Sequence, residues 1–173
     1  VDATWSLIEV RSITGTVGDL PLAAEKNTAG MAALALQREL ALPFGFDLDV
    51  VKGIPLGSGL GGSAASAVAA VVAAAALVER PIDRTQLLKF AMQGEAVASG
   101  SVHVDNIAPS LYGGLVLTVG IDNPFVKQIP VPDTIRCVLV HPHMVLPTRE
   151  ARAILSKSVP LSDVIWQQAN LAG

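Results

Sequence analysis

The residues with the clearest chemical potential lie in the run KGIPLGSGLGGSAASAVAAVVAAAALV, from Lys52 to Val78. A short β-compatible stretch leads into Pro55, then into four glycines within six positions (Gly57, Gly59, Gly61 and Gly62), then into Ser63 and an Ala/Val segment. Glycines permit positive φ and leave the main chain bare, so a ligand can press against it. The first turn of a following helix adds N–H groups without intrahelical partners and the positive end of its dipole. Strand, glycine loop and helix in that order make a place to hold a phosphate.

Phosphoryl transfer asks few further things of a protein: a metal held by one or two oxygen ligands, and groups that fix the acceptor hydroxyl in line. Ser63 can offer its hydroxyl to Mg²⁺, and Glu95 is the candidate carboxylate, since this cation commonly takes few protein oxygens and leaves the rest to phosphate and water. On spacing alone Glu95 reads first as an ordinary solvated helix residue. Ser63 likewise reads as a helix N-cap, a role compatible with metal binding.

Two common nucleotide signatures are absent. No Lys follows the glycines as GxxxxGK(S/T) requires, and no GxGxxG opens a dinucleotide fold. The segment PLGSGLGGSAAS instead resembles PxxxGLGSSAA, the phosphate loop of the GHMP kinases, the family of galactokinase, homoserine kinase, mevalonate kinase and phosphomevalonate kinase. Gly62 departs from it, because Ser is more usual there; Ser63 is kept. One hydroxyl contact to phosphate is thereby lost, and a backbone N–H can substitute.

The elements that must position these residues can be read from periodicity and turn chemistry. Residues Trp5 to Thr14 alternate as a strand, followed by a turn region at Gly15, Gly18, Asp19 and Pro21. A helix is predicted from Asn27 to Leu40, capped by Asn27 or Thr28 and stopped by Pro43 and Gly45. Phe46 to Val51 reads as a strand with Asp47 and Asp49 on its wet face. Another helix is predicted from Asp83 or Thr85 to about Ser99, carrying Leu87, Leu88, Phe90, Ala91 and Val97 toward the core and Glu95 near its end. Leu115 to Val119 and Phe125 to Val131 read as strands across the turn GIDNP. Thr134 to His141 reads as a further strand, apolar throughout and therefore buried on both faces, with Cys137 as a buried thiol. Thr148 caps a short helix, REARAILSK, and SDVIWQQANLAG starts as an amphipathic helix.

Two more segments extend the resemblance. GEAVASGSVHVDNIAPSLYGG is similar to the homoserine kinase pattern GE(x)xxSGSxHxDNxAPxxxGG, and LPTREARAIL to that group's T-x-x-A-R segment. Three motifs in the family's order cover essentially the whole chain. The resemblance implies an α+β GHMP kinase fold: a two-layer N-terminal domain of the ribosomal-protein-S5-domain-2-like type over residues 1–125, and part of a ferredoxin-like C-terminal domain over 126–173. It implies ATP and Mg²⁺ as cofactors and L-homoserine as the small-molecule substrate.

Position by position, the resemblance makes Asn27 the residue that meets the adenine and Lys52 the basic residue entering the loop. Pro55, Leu56, Gly57, Ser58, Gly59, Leu60, Gly61, Gly62, Ser63, Ala64 and Ala65 become the ATP-binding loop, and Ser63 and Glu95 the Mg²⁺ ligands. His103 and Asn106 become substrate contacts, with Asn106 holding the homoserine hydroxyl near the γ-phosphate. Thr148 becomes a second hydroxyl beside the transferring phosphate, and Arg152 a contact for the substrate carboxylate, which a planar bidentate fork suits.

Other residues carry structural readings. His141 and His143 lie between a strand and prolines and show no third ligand. Asp105 can orient His103 or pin its loop. Arg149 and Arg152 also read as helix-surface charges. Ser63 lacks the GxSxG elbow of a hydrolase nucleophile.

Composition bounds the rest. The 173 residues are 51% hydrophobic and 16% charged, with a formal charge of −3, which describes a folded, heavily buried chain. That balance gives no reason to expect nucleic acid or an anionic membrane as a partner. The Ala-rich run is too short to span a bilayer, which takes about 20 residues. One Cys excludes an internal disulfide and fits the reducing cytoplasm. The family suggests a homodimer. The family's N-terminal P-A-x-x-x-N-x-G-x-G-F-D segment and its closing G-x-S-G-S-G-P-x loop are both absent. The chain therefore reads as an interior fragment, expected to be inactive by itself. The rival functions are another GHMP small-molecule kinase and a nucleotide-binding module without turnover.

Overall fold

The computed structural model describes residues 7–16, 19–100, 103–120, 122–140 and 153–172. Strand β1 (Ile8–Gly15) turns Ile8 and Val10 inward and Glu9 and Arg11 outward, as its alternation dictates. Strand β2 (Phe46–Lys52) pairs with it in parallel, from Ile8 opposite Phe46 to Gly15 opposite Lys52, with a register shift between Val10 and Ser12. On the wet face Arg11 pairs with Asp47, and Ser12 Oγ donates to Asp49 Oδ1 at 2.6 Å.

Parallel strands need a crossover, and helix α1 (Thr28–Glu39) supplies it. Asn27 caps α1: its Oδ1 accepts from the N–H groups of Ala29 and Gly30, and its Nδ2 donates to the Pro21 carbonyl. Helix α2 (Gly62–Ala76) follows the glycine loop. Helix α3 (Arg84–Ser99) opens with a reciprocal capping box between Asp83 and Gln86. A short helix α4 (Ile107–Tyr112) leads into the antiparallel hairpin of β3 (Leu115–Val119) and β4 (Phe125–Ile129), and helix α5 (Leu161–Ala172) ends the described chain. The architecture is α+β.

Helices α1, α2 and α3 pack on one another around Ala32, Ala33, Leu36, Ala64, Ala67, Val71, Leu88, Ala91 and Ile107. So many alanines let the helix backbones come close, and at one point even a methyl group is too large. A Cβ on Gly94 of α3 would stand 2.4 Å from the Thr28 carbonyl oxygen and 2.8 Å from Ala32 Cβ. That glycine fixes how deeply α3 seats against α1, one residue before Glu95.

Most predicted elements are present within a residue or two. The strand predicted from Thr134 to His141 is a correction: residues 134–140 form no strand, and Ile135, Val138, Leu139, Val140 and Cys137 are exposed. A strand buried on both faces needs neighbours to pair its backbone and layers to cover it. Among the described residues each sheet has only two strands, and neither takes a third. An apolar run specifies demand for burial; it does not supply the partner.

The expected division at residue 126 falls inside β4, whose Val126 packs with Val116 of β3 against the helical core. Trp5, His141, His143, Thr148, Arg149 and Arg152 lie outside the described residues, and of the helix predicted over REARAILSK the described part, 153–157, is helical only at Ala153, with no described neighbour packed on it to hold a further turn. Among the described residues no helix is long and apolar enough to cross a membrane.

Candidate active site

The site is built where β2, the glycine loop, the start of α2 and the middle of α3 converge. Gly57, Gly59 and Gly61 have φ of 67°, 73° and 70°, the left-handed region that makes glycine the fitting residue at each. The loop therefore coils on itself, with Leu56, Gly57, Gly59 and Leu60 exposed and Ser58 Oγ accepting from the Leu60 N–H. The first helical hydrogen bond of α2 runs from the Ala65 N–H to the Gly61 carbonyl. The amides of Gly62, Ser63 and Ala64 precede it, at the positive end of a fifteen-residue helix.

Ser63 projects from that first turn toward α3, and its Oγ donates to Glu95 Oε1 at 2.9 Å. Glu95 is only 6% exposed. Burial pushes its carboxyl above the usual carboxylate range; the Ser63 hydrogen bond and the charges of His103 and Lys52 oppose that shift, and Asp105 adds to it. The reading of Glu95 as a solvated surface glutamate is thus excluded.

Lys52 approaches from the other side. It is buried, and its Nζ donates to the Gly62 carbonyl and to Ser66 Oγ, each at 2.7 Å. Desolvation lowers the pKa of its ammonium, and the Glu95 charge raises it. A cleft of about 460 Å³ runs between β2 and α2 beside Lys52, lined also by Ile54, Ala65 and Ala69; neither Ser63 nor Glu95 lines it.

Asn106 closes the arrangement at the start of α4. It is exposed and makes no side-chain capping bond. Instead it lies against the loop: a Cβ added to Gly61 would come to 3.2 Å from Asn106 Oδ1. His103, half-buried, stands close enough for its charge to act on Glu95.

The structure thus brings together Lys52, the loop from Pro55 to Ala65, Glu95, His103 and Asn106. Asn27 is engaged as the cap of α1, and Thr148 and Arg152 lie outside the described residues. Two contributors escape the sequence reading. Gly94 sets the depth of Glu95, and its signal is a glycine within a helical pattern, which costs about 1 kcal/mol against Ala. Ser66 receives Lys52, and its signal is a lone hydroxyl in an Ala/Val helix.

The donor set suits a hard cation, because both side chains offered by Ser63 and Glu95 present oxygen. Among the described residues no group of three or more His, Cys, Asp or Glu is placed to hold a metal. A cation at Ser63 and Glu95 would therefore complete its shell from phosphate and water oxygens.

The fold and site define an α+β domain with a glycine loop at a helix N-terminus and a buried carboxylate across from Ser63. Residues 27–114 match the GHMP kinases N terminal domain, and the chain belongs to the GHMP kinases. It is 50% identical over 167 residues to a homoserine kinase of Xylella fastidiosa strain 9a5c, covering 95% of this chain and 50% of that one. It is 49% identical over 166 residues to a homoserine kinase of Xanthomonas campestris pv. campestris strain B100, covering 96% of this chain and 51% of that one. Among solved structures it superposes on homoserine kinase from Cytophaga hutchinsonii with a TM-score of 0.86 and 42% identity, over 95% of this chain and 52% of the other. The chain spans about half the length of the relatives it matches.

Proposed function

We propose that this chain forms the nucleotide side of an active site that transfers the γ-phosphoryl group of ATP to the side-chain hydroxyl of L-homoserine. The observation that carries the reading is the convergence of Ser63, Glu95 and Asn106 on one glycine loop. The named relatives point to homoserine as the alcohol.

In this reading the loop from Pro55 to Ala65 cradles the phosphates through backbone N–H groups and the α2 N-terminus. Ser63 and Glu95 hold Mg²⁺, which supplies charge neutralisation at the phosphates. Asn106 orients the acceptor hydroxyl over Gly61, and His103 contacts the substrate. Thr148 and Arg152 enter only through their motif, as a hydroxyl beside the transferring phosphate and a carboxylate contact. Asn27, buried and committed as the cap of α1, enters as an adenine contact only through the family resemblance.

The hydroxyl oxygen forms a bond to the γ-phosphorus as the bond from that phosphorus to the β–γ bridging oxygen breaks. ADP leaves with the bridging electrons, and the hydroxyl proton passes to water. Catalysis is by positioning and by electrostatics prepared in advance, with no side chain among the described residues required as a base. We propose that the enzyme works in the cytoplasm as a homodimer, with residues 1–125 in the N-terminal domain and 126–173 beginning a second one.

The test is a panel of alcohols offered to the intact protein with ATP and Mg²⁺, read by ADP release and by the ³¹P spectrum of the product. O-phospho-L-homoserine is expected. A preference for mevalonate or a sugar, or nucleotide binding without turnover of any alcohol, overturns the reading.

A further inference from the structure

Lys52 sits at the mouth of a phosphate loop, where a cation would be expected to meet phosphate directly. Its geometry says otherwise. The residue is 7% exposed, and two of the three donors of an ammonium are spent inside the protein, on the Gly62 carbonyl and on Ser66 Oγ. Ser66 Oγ in turn donates to the same Gly62 carbonyl at 3.0 Å.

The Gly62 carbonyl and the Ser63 N–H belong to one peptide unit. That unit is planar and trans, so drawing the carbonyl toward Lys52 aims the N–H the opposite way. Gly62 has no side chain with which to lock this plane, and its backbone is freer than that of the Ser more usual there. A charged donor on the carbonyl also polarises the peptide and strengthens its N–H as a donor. Burying an ammonium costs desolvation, and apart from Ser63 the other residues of α2 are Ala, Val and Gly, so Lys52 and Ser66 stand out as a polar pair in an apolar setting.

We infer that Lys52 and Ser66 are a positioning pair: they fix the first peptide of α2 so that the Ser63 amide and hydroxyl face the bound metal–nucleotide, and Lys52 itself touches no phosphate. The inference rests on the proposed ATP site.

The test uses the intact protein with Lys52→Met, Ser66→Ala and the double variant. Each is titrated with Mn²⁺ in the presence of a non-hydrolysable ATP analogue, read by water-proton relaxation, and melted without ligand. Both single variants are expected to weaken Mn²⁺ binding by about 10-fold or more, the usual scale for residues that orient metal ligands. The double variant should be little worse than the weaker single, because the two act through one carbonyl. Lys52→Met should melt no lower than the parent, since it keeps the aliphatic length and removes a buried charge; a purely structural lysine would lower the melting point and leave the metal affinity unchanged.

Parent-like Mn²⁺ affinity in Ser66→Ala overturns the inference, and that variant stands alone if Lys52→Met fails to fold. Strictly additive losses overturn it as well, in favour of direct phosphate contact by Lys52. Failure of the parent protein to bind the analogue overturns the ATP site itself, which is a separate result.

Discussion

Ser63 donates its hydroxyl to Glu95 Oε1 across 2.9 Å, tying the first turn of α2 to the penultimate turn of α3. In the proposed site both oxygens serve the same cation, so each loses its value when the other goes. Ser63→Ala and Glu95→Gln are each expected to raise the Mg²⁺ concentration for half-maximal activity by about 10- to 100-fold. The double variant should fall well short of the product of the two effects. Initial rates across a Mg²⁺ titration check this, and additive effects would mean that the residues act at separate places.

The same carboxylate leaves a mark on stability in the metal-free protein. Burial raises the Glu95 pKa in the folded chain above its ordinary value near 4.5. As pH rises through the window between the ordinary and the raised value, the unfolded chain releases its proton first. The folded chain then holds more protons, and stability falls with rising pH. Glu95→Gln lacks this slope. Urea unfolding with chelator is expected to show the variant gaining on the parent as pH rises from the ordinary carboxyl value near 4.5 through the raised one. A parent that gains on the variant over that range would mean the carboxylate is stabilised where it sits.

Gly94 is expected to be intolerant of the smallest substitution. A methyl group there would meet the Thr28 carbonyl at 2.4 Å, and backbone oxygen cannot swing aside as a side-chain tip can. Helix propensity favours alanine by about 1 kcal/mol, whereas overpacking costs about 1–3 kcal/mol. Packing wins, and Gly94→Ala should lower unfolding stability despite its better propensity. Because α3 must shift outward, its Mg²⁺ requirement should rise too. Denaturant midpoints together with a Mg²⁺ titration check both effects, and a stabilised variant would refute the tight crossing.

Ser63, Glu95 and Gly94 differ in how much of their role is legible in the sequence alone. Local signals place α1, α2, α3 and both hairpin strands, because caps such as Asn27 and Asp83 and the glycines of the loop act within a few residues of themselves. Ser63 and Glu95 are legible as types that suit Mg²⁺. That Glu95 is buried is not, since its burial depends on the α1–α3 crossing that Gly94 permits. Lys52 and Ser66 are fourteen positions apart, and only the return of α2 over β2 makes them partners. Residues 134–140 fail in the opposite direction: their hydrophobicity is plain, and the neighbours that would make a buried strand of them do not exist among the described residues.

Gly61 and Gly59 offer a matched pair for asking whether Asn106 belongs to the reaction. Both have left-handed φ, 70° and 73°, so an alanine at either position carries a similar backbone strain of about 1–2 kcal/mol. Their surroundings differ. A Cβ at Gly59 meets nothing within 4 Å, whereas one at Gly61 comes to 3.2 Å from Asn106 Oδ1 and 3.3 Å from its Cγ. Asn106 must then give by a few tenths of an ångström. If it holds the acceptor hydroxyl, a displacement of that size at a reacting centre costs turnover more than it costs nucleotide affinity. The two variants are expected to lose comparable stability and comparable ATP-analogue affinity, with Gly61→Ala alone showing a large further drop in kcat. Placing both in an Asn106→Ala background should abolish the difference between them, because the displaced group is gone. Equal kcat in Gly59→Ala and Gly61→Ala would remove Asn106 from the transfer step and leave it as a residue that merely borders the loop.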